Sequence, residues 1–239
     1  MATQAKATKS SGGDKFTRWL VIGMVTLVVA SGAIFSVVGE KSKANESFAI
    51  LSDFKVGPTV VSTVDDANGS GITFNNGAAK TIDIWEDPQC PVCNTFEQAN
   101  GEFIDELVRT KKANVVYHVL SFLGNESVAA ANAAYCAADE GRYLDFHKAM
   151  YLVQPALENS GFYSTENLIK IGSYAGLTTQ SFSDCVTKGS KLDKVKAAYE
   201  SMAKYNVQGT PTVFFNGKKW ERQNNAFLPS EFAAAFEAN

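Results

Sequence analysis

Two cysteines separated by two residues, Cys90 and Cys93, are the side chains of this chain best suited to chemistry. An apolar run precedes them and a helix-like pattern follows, so the pair lies where a strand passes into a helix. Pro91 suits the first helical position, which makes Cys90 the N-cap and places Cys93 in the first turn. Unpaired backbone N–H groups and the helix dipole favour a thiolate at Cys90. The sequence therefore predicts dithiol–disulfide exchange, with Cys93 resolving mixed disulfides formed at Cys90.

A structural zinc site is the competing interpretation of this cysteine pair. Zinc would need two more nitrogen or sulfur ligands, usually paired at short spacing. The other candidate ligands are scattered singly along the chain: Cys136, Cys185, His118 and His147. We therefore expect no metal and no organic cofactor.

Length and composition suit a globular protein. The 239 residues are enough for one large domain or a domain with an insertion, and the net charge of −3 gives no reason to expect nucleic acid. Four cysteines are too few for a disulfide scaffold, but two pairs are consistent with an oxidising compartment.

The N-terminus predicts where the protein resides. Residues 1–18 are expected to be a disordered cytoplasmic leader whose basic residues directly precede an uncharged run at 19–38. A helix of that length just crosses a bilayer core of about 30 Å, and the basic residues place the N-terminus in the cytoplasm. The sequence thus predicts a single transmembrane anchor with the cysteines outside. The alternative is a cleaved signal peptide, which would give a secreted protein.

The elements that position the cysteines begin after this segment. Residues 39–71 are predicted to be a linker with an edge strand, and residues 72–74 and 81–86 to be two strands joined through an Asn76-Gly77 turn. A helix from Pro91 and a β-rich run at 114–120 follow. Strand, helix and strand predict a parallel pair, with the cysteines at the carboxyl end of its first strand, where open α/β sheets place their chemistry.

The second half of the chain predicts a helical insertion and then a return to strands. Helical periodicity runs from about 127 to 205. Residues 212–215 and 218–221 flank an Asn216-Gly217 hairpin turn, and a last helix begins at Pro229. This order predicts an α/β thioredoxin fold over residues 72–239, with the insertion between its strand-helix-strand and strand-strand-helix halves.

Three further side chains fall within the insertion. His147 shares an apolar face and is predicted to be a satisfied core histidine rather than a base. Cys136 and Cys185 both lie among apolar neighbours. They are either free packing cysteines or a structural disulfide between two helices, and an oxidising compartment favours the disulfide.

Three segments carry a resemblance to a known family: Asp87-Pro88-Gln89-Cys90-Pro91-Val92-Cys93, Gly209-Thr210-Pro211-Thr212 and Tyr135-Cys136-Ala137. With them, the sequence from residue 72 onward resembles the DsbA-like thiol-disulfide oxidoreductases, in their membrane-anchored or secreted bacterial subgroup. The resemblance implies that Cys90 is the exposed nucleophile and Cys93 the buried resolver. It implies a cis Thr210–Pro211 bond that faces the cysteines, with the Thr210 backbone free to pair with an extended substrate. Some relatives carry a second disulfide similar to Cys136 with Cys185.

Two neighbours of the cysteines leave questions open. Strongly oxidising members of the family have His where this chain has Val92, which offers the thiolate neither charge nor hydrogen bond. The redox direction is therefore open. Glu86 is either a buried proton acceptor or an ordinary solvated carboxylate.

The predicted function is the introduction of disulfide bonds into exported proteins by exchange at Cys90 and Cys93. The resemblance implies reoxidation by a membrane partner of the DsbB or vitamin K epoxide reductase type. One alternative is a disulfide isomerase or reductase on the same fold. The other is a non-enzymatic binding module on a thioredoxin scaffold.

Overall fold

The computed structural model describes residues 47–223 and 225–239. The predicted leader at 1–18 and anchor at 19–38 lie outside the described residues. Within the described ranges, no helix combines the length and the apolar character needed to cross a membrane.

Six strands and seven principal helices form the described structure, all in one unit from Ser47 onward. The strands are β1 Thr63–Asp65, β2 Gly71–Phe74, β3 Thr81–Glu86, β4 Asn114–Val119, β5 Thr212–Phe215 and β6 Lys218–Lys219. The helices are α1 Pro91–Arg109, α2 Asn125–Asp139, α3 Tyr143–Leu152, α4 Thr165–Tyr174, α5 Gln180–Lys188, α6 Leu192–Lys204 and α7 Pro229–Ala238.

The strands form one sheet in the order β1-β2-β4-β3-β5-β6. β3 and β4 are parallel, as predicted from the strand-helix-strand pattern, and Trp85 lies opposite His118 in their register. β5 is antiparallel to β3, and β6 is antiparallel to β5. This is a mixed α/β thioredoxin-like fold, as predicted for residues 72–239.

The two strands predicted on either side of Asn76-Gly77 are present as β2 and β3, but they do not pair with each other, because β4 lies between them in the sheet. Asn76 instead anchors a crossing loop. Its side-chain amide donates hydrogen bonds to the carbonyls of Val108 and Ala113, at 3.2 and 2.9 Å. Its backbone N–H donates to Asn114 Oδ1 at 2.9 Å, so the loop is fixed to the start of β4.

The Asn216-Gly217 hairpin between β5 and β6 is confirmed. Both turn residues have positive φ, at 50° and 78°, which the paired Asn-Gly sequence accommodates at low cost. β6 ends at Lys219, two residues earlier than predicted. On the other edge, β1 is the predicted edge strand and pairs with β2.

Alternating side chains on β3 and β5 cover the two faces of the sheet. On one face Phe215 packs against Phe232 of α7, and Phe232 packs against Phe96 of α1, with ring centroids 5.2 and 5.6 Å apart. On the other face Trp85 joins a cluster with Ala198 of α6. Because α1 is held on the sheet in this way, the cysteines at its start have a fixed position.

Helices α2 to α6 occupy the stretch where the insertion is predicted. Gly141, at φ +65°, separates α2 from α3, and Ser164 caps α4 by accepting the Asn167 N–H. Cys136 of α2 and Cys185 of α5 form a disulfide. The sequence left two possibilities for Cys136 and Cys185, free cysteines or a disulfide. The structure contains the disulfide.

Candidate active site

Cys90 is the N-cap of α1, and its sulfur accepts the backbone N–H of Cys93 at 3.4 Å. Pro91 is the first helical residue, as predicted. Both thiols are free. Cys90 retains 7% of its accessible surface whereas Cys93 retains none, so Cys90, which the resemblance predicts to be exposed, is buried except for a small part of its surface. Val92, at 48% exposure, lies beside it at the surface.

The Thr210–Pro211 peptide bond is cis, as the resemblance implies. The Cys90 sulfur lies 3.7 Å from the Thr210 carbonyl oxygen, to which it donates when it is protonated. The Thr210 hydroxyl oxygen is buried and has no hydrogen-bond partner among the described residues. The fold thus brings Thr210 to the cysteines from 120 residues away along the chain.

The two sulfurs have opposite acidities. A hydrogen bond from Cys93 is the largest contribution that lowers the pKa of Cys90 to about 6, against the opposing effect of burial. The Thr210 side chain and the backbone N–H groups of Cys93 and Val92 lower it further. Burial raises the pKa of Cys93 well above its usual value. At neutral pH the site therefore pairs a Cys90 thiolate with a Cys93 thiol.

The loop before Cys90 is held by the buried carboxylate of Asp87. It accepts the Ser127 hydroxyl at 2.6 Å and the backbone N–H groups of Gln89 and Leu123 at 2.9 and 3.2 Å. Burial raises the pKa of Asp87, although these hydrogen bonds oppose the increase. Sequence reasoning missed this role. The Asp87-Pro88 pair, typical of a turn, was the available signal.

Gln154, which follows α3, also fixes the cysteine loop. Its side-chain amide donates to the carbonyls of Pro88 and Cys90, at 2.7 and 3.1 Å. Tyr151 donates from its hydroxyl to the Asp87 carbonyl at 3.1 Å. Side chains of the predicted insertion region thus hold Cys90 and the loop before it in place. Nothing in the local sequence around Gln154 indicated this contact.

Glu86 is 1% exposed, so the solvated carboxylate considered for it is excluded. Its Oε1 lies 2.5 Å from His147 Nε2, and the other ring nitrogen of His147 lies 3.8 Å from Glu97 Oε2. His147 is therefore buried and paired, in agreement with a satisfied core histidine. Sequence reasoning missed Glu97. Its position one helical turn after Cys93 could have drawn attention to it.

Glu86, Glu97 and His147 are the one group of three metal-ligating side chains found across the described ranges. The carboxylates face opposite nitrogens of one imidazole ring, and 2.5 Å between Nε2 and Oε1 leaves no room for an ion between them. No cysteine belongs to this group, and His118 is stacked on Trp85 at 3.7 Å. The arrangement does not support a zinc site built on Cys90 and Cys93.

Residues 69–231 match a family model described as thioredoxin, so the chain belongs to the thioredoxin family. The resemblance to DsbA-like thiol-disulfide oxidoreductases is confirmed by solved structures. Reduced DsbA from Mycobacterium tuberculosis is 27% identical with a TM-score of 0.58, and the match covers 77% of this chain and 89% of that chain.

The chain is also similar to two proteins of known name. Disulfide bond formation protein D from Bacillus subtilis is 26% identical over 172 residues, which is 68% of this chain and 74% of the relative. Serine/threonine-protein kinase PknE from Mycobacterium tuberculosis is 32% identical over 152 residues, or 57% of this chain. The chain spans only 27% of the kinase's length.

Proposed function

We propose that this protein is an extracytoplasmic thiol-disulfide oxidoreductase that introduces disulfide bonds into exported proteins. The observation that carries the proposal is the position of Cys90 as a hydrogen-bonded N-cap beside a fully buried Cys93, which lowers the pKa of Cys90 to about 6 and raises the pKa of Cys93 well above its usual value. A stabilised thiolate favours the reduced form, so the disulfide form is the better oxidant. The stabilising donors are Cys93, Thr210 and backbone N–H groups. They lower the pKa although Val92 supplies no side-chain donor.

In the proposed mechanism a client thiolate attacks the Cys90 sulfur of the Cys90–Cys93 disulfide, and Cys93 leaves with the bonding electron pair. A second client thiolate then attacks the client sulfur of the mixed disulfide, and Cys90 leaves as a thiolate. The client is oxidised by two electrons and the enzyme is reduced to its dithiol. The low pKa of Cys90 makes it a good leaving group. Thr210 and Pro211 would pair with the extended client segment.

The sequence and the second disulfide support a location outside the cytoplasm. The basic residues before 19–38 favour a single-pass anchor with a cytoplasmic N-terminus, or a secreted form if that segment is cleaved. The Cys136–Cys185 bond is typical of an oxidising compartment. The proposal includes domain boundaries at residues 18, 38 and 71. It also includes a membrane partner of the DsbB or vitamin K epoxide reductase type, which would accept electrons from the reduced enzyme.

A redox titration against glutathione, combined with oxidation of a reduced client protein, tests the proposal. We expect a potential above about −200 mV and catalysed disulfide formation. Cys90→Ser should abolish turnover, and Cys93→Ser should accumulate mixed disulfides with the client. A potential well below that value would instead assign the protein to the isomerases or reductases. Unchanged function of Cys90→Ser in cells would indicate a binding module.

A further inference from the structure

Asn-Gly pairs occur in the chain at residues 68–69, 76–77, 100–101 and 216–217. The backbone nitrogen of such a glycine can attack the side-chain amide of the asparagine before it, because the reaction is intramolecular and no Cβ shields the nitrogen. The attack closes a succinimide ring and releases ammonia, and water then opens the ring to isoaspartate or aspartate. The surroundings of each asparagine determine whether it reacts.

The asparagines of the last three pairs are held away from this reaction. The Asn76 amide nitrogen donates to two carbonyls, and the Gly77 N–H donates to Asn75 Oδ1 at 3.2 Å. Asn100 is fully buried inside α1. Asn216 is fixed through both atoms of its amide, by a backbone N–H at 2.8 Å and a backbone carbonyl at 2.7 Å. Each of these side chains would have to break its contacts before it could react.

Asn68 is held through one atom of its amide only. Its Oδ1 accepts the Tyr205 hydroxyl at 2.7 Å, whereas its Nδ2 has no hydrogen-bond partner among the described residues. The hydroxyl polarises the carbonyl group that is attacked, and the nitrogen that departs is free. Because Oδ1 gains negative charge in the tetrahedral intermediate, the hydrogen bond strengthens there, as in an oxyanion hole. Lys204, which donates to the Ala67 carbonyl at 3.2 Å, places a positive charge beside the same turn.

The backbone around Asn68 also favours the reaction. Asn68 ends a single 3₁₀ turn, Asp66–Asn68, whose hydrogen bonds have poorer geometry than those of an α-helix. The turn can therefore open at low cost. Gly69 has φ +60°, and a Cβ there would lie 2.4 Å from Ser201 Oγ, so the position requires glycine. Asn68 and Tyr205 line one groove of about 420 Å³, through which water reaches the turn.

We propose that Asn68 is a site of self-modification, at which the chain converts its own asparagine to isoaspartate with the Tyr205 hydroxyl as the catalytic group. The Gly69 nitrogen loses its proton to solvent hydroxide and forms a bond to Asn68 Cγ. The bond between Cγ and Nδ2 breaks, and Nδ2 leaves as ammonia after it takes a proton from water. One water molecule then opens the succinimide, and no electrons are exchanged. The reaction does not involve the cysteine pair, so it is independent of the proposed function.

The product differs from asparagine in two ways. It carries an additional negative charge, in a turn that already contains Asp66. Isoaspartate also adds a main-chain carbon to the connection between β1 and β2. Because β1 pairs with β2 alone, the modification falls on the edge of the sheet.

Peptide mapping of aged protein tests which asparagine reacts. The full chain is incubated at neutral pH and digested, and isoaspartyl peptides are separated by chromatography and identified by mass spectrometry. We expect isoaspartate at position 68 before it is detected at 76, 100 or 216, with ammonia released in equal amount. Faster conversion at any of the other three positions, or an unmodified Asn68, would overturn the proposal.

The ratio of isomers tests the nucleophile. Attack by the Gly69 nitrogen passes through the succinimide and gives both isoaspartate and aspartate, whereas direct hydrolysis of the Asn68 amide gives aspartate alone. Aspartate as the single product at position 68 would therefore contradict the proposal. This measurement uses the wild-type protein and does not depend on the folding of a variant.

Tyr205→Phe tests the hydroxyl while it keeps the ring that lies 5.2 Å from Trp85. Conversion of Asn68 should be about tenfold slower in this variant, which is less than the effect of an enclosed oxyanion hole (about 10²–10³-fold) because the groove admits water. If the hydrogen bond only restrained the side chain, its loss would instead speed the conversion. An equal or faster rate in Tyr205→Phe would therefore refute the catalytic role. Tyr199→Phe, at an exposed position of α6, is the matched control and should convert at the wild-type rate.

Discussion

At the scale of residues, the acidity of Cys90 depends on hydrogen-bond donors. Some lie within one helical turn of Cys90, and others are distant in sequence but close in the folded protein. Cys93 contributes the largest of them, and Thr210 contributes a hydroxyl that has no other hydrogen-bond partner. Position 92 supplies only its backbone N–H. The absence of a histidine there is therefore compatible with a reactive thiolate.

Removal of the Cys93 thiol should raise the pKa of Cys90 from about 6 towards its ordinary value, because the strongest hydrogen bond to the thiolate is lost. The rate of alkylation by iodoacetamide as a function of pH would measure it in wild type and Cys93→Ala. A wild-type midpoint near 8.5, or no difference between the proteins, would contradict the assignment.

Thr210→Val should also raise the pKa of Cys90, by less than Cys93→Ala, since it removes a weaker donor. The same alkylation profile reports the change. Thr187→Val, on the exposed side of α5, is the matched control and should leave the midpoint where it is. Equal profiles for both valine variants would show that the Thr210 hydroxyl does not act on the thiolate.

At the scale of elements, the disulfide joins α2 to α5 across 49 residues of sequence. Replacement of both partners in Cys136→Ala/Cys185→Ala should lower the free energy of unfolding by about 2–4 kcal/mol, because the unfolded chain gains conformational freedom. Urea unfolding of the protein measures this difference. Exchange at Cys90 should remain, since neither α2 nor α5 carries an active-site cysteine; loss of both stability and exchange would show that the disulfide also supports the site.

Asp145 of α3 contacts the segment before β1 at Gly57. This carboxylate accepts the Gly57 N–H at 2.9 Å and pairs with Arg109 and Arg142 at 3.1 and 3.3 Å. Both arginines also donate to carbonyls of the same segment, those of Pro58 and Gly57. One network of ion pairs and hydrogen bonds, centred on Asp145, therefore holds this segment against the rest of the domain.

Asp145→Asn should destabilise the domain by about 2–3 kcal/mol, because it leaves two partly buried arginines without their common partner. Hydrogen exchange should show faster exchange at the Gly57 amide. Asp193→Asn, at an exposed site of α6, is the control and should change neither quantity. Unaltered protection at Gly57 would mean that the arginine–carbonyl bonds alone hold the segment.

At the scale of the whole molecule, the lowered pKa of Cys90 makes the stability of the reduced protein depend on pH. The folded thiol has a pKa of about 6, and the unfolded thiol about 8.5. The extra stability is fully present above the unfolded pKa and is lost as the pH falls towards 6.

Reduced wild type should therefore lose stability relative to reduced Cys90→Ser as the pH falls from 8.5 to 6. The slope should be at most about 1.4 kcal/mol per pH unit, and lower to the extent that solvent reaches the sulfur. Denaturant unfolding at several pH values measures it, and Cys90→Ser removes only the group in question. A constant difference between the two proteins would refute a depressed Cys90 pKa.

The sequence by itself determined the features that depend on a few neighbouring residues. Cys90 as N-cap with Pro91 behind it, the Asn216-Gly217 hairpin and the strand-helix-strand order around α1 are all set by local backbone geometry and side-chain periodicity. These features were enough to identify the cysteine pair and the class of fold.

The tertiary structure alone decided what distant segments contribute. The place of β4 between β2 and β3 is a non-local pairing, which an Asn-Gly turn signal cannot exclude. Gln154 reaches Cys90 across 64 residues, and His147 reaches Glu86 across 61. Such contacts depend on the packing of helices against the sheet, and a polar side chain's own sequence neighbours do not specify which buried group will be its partner.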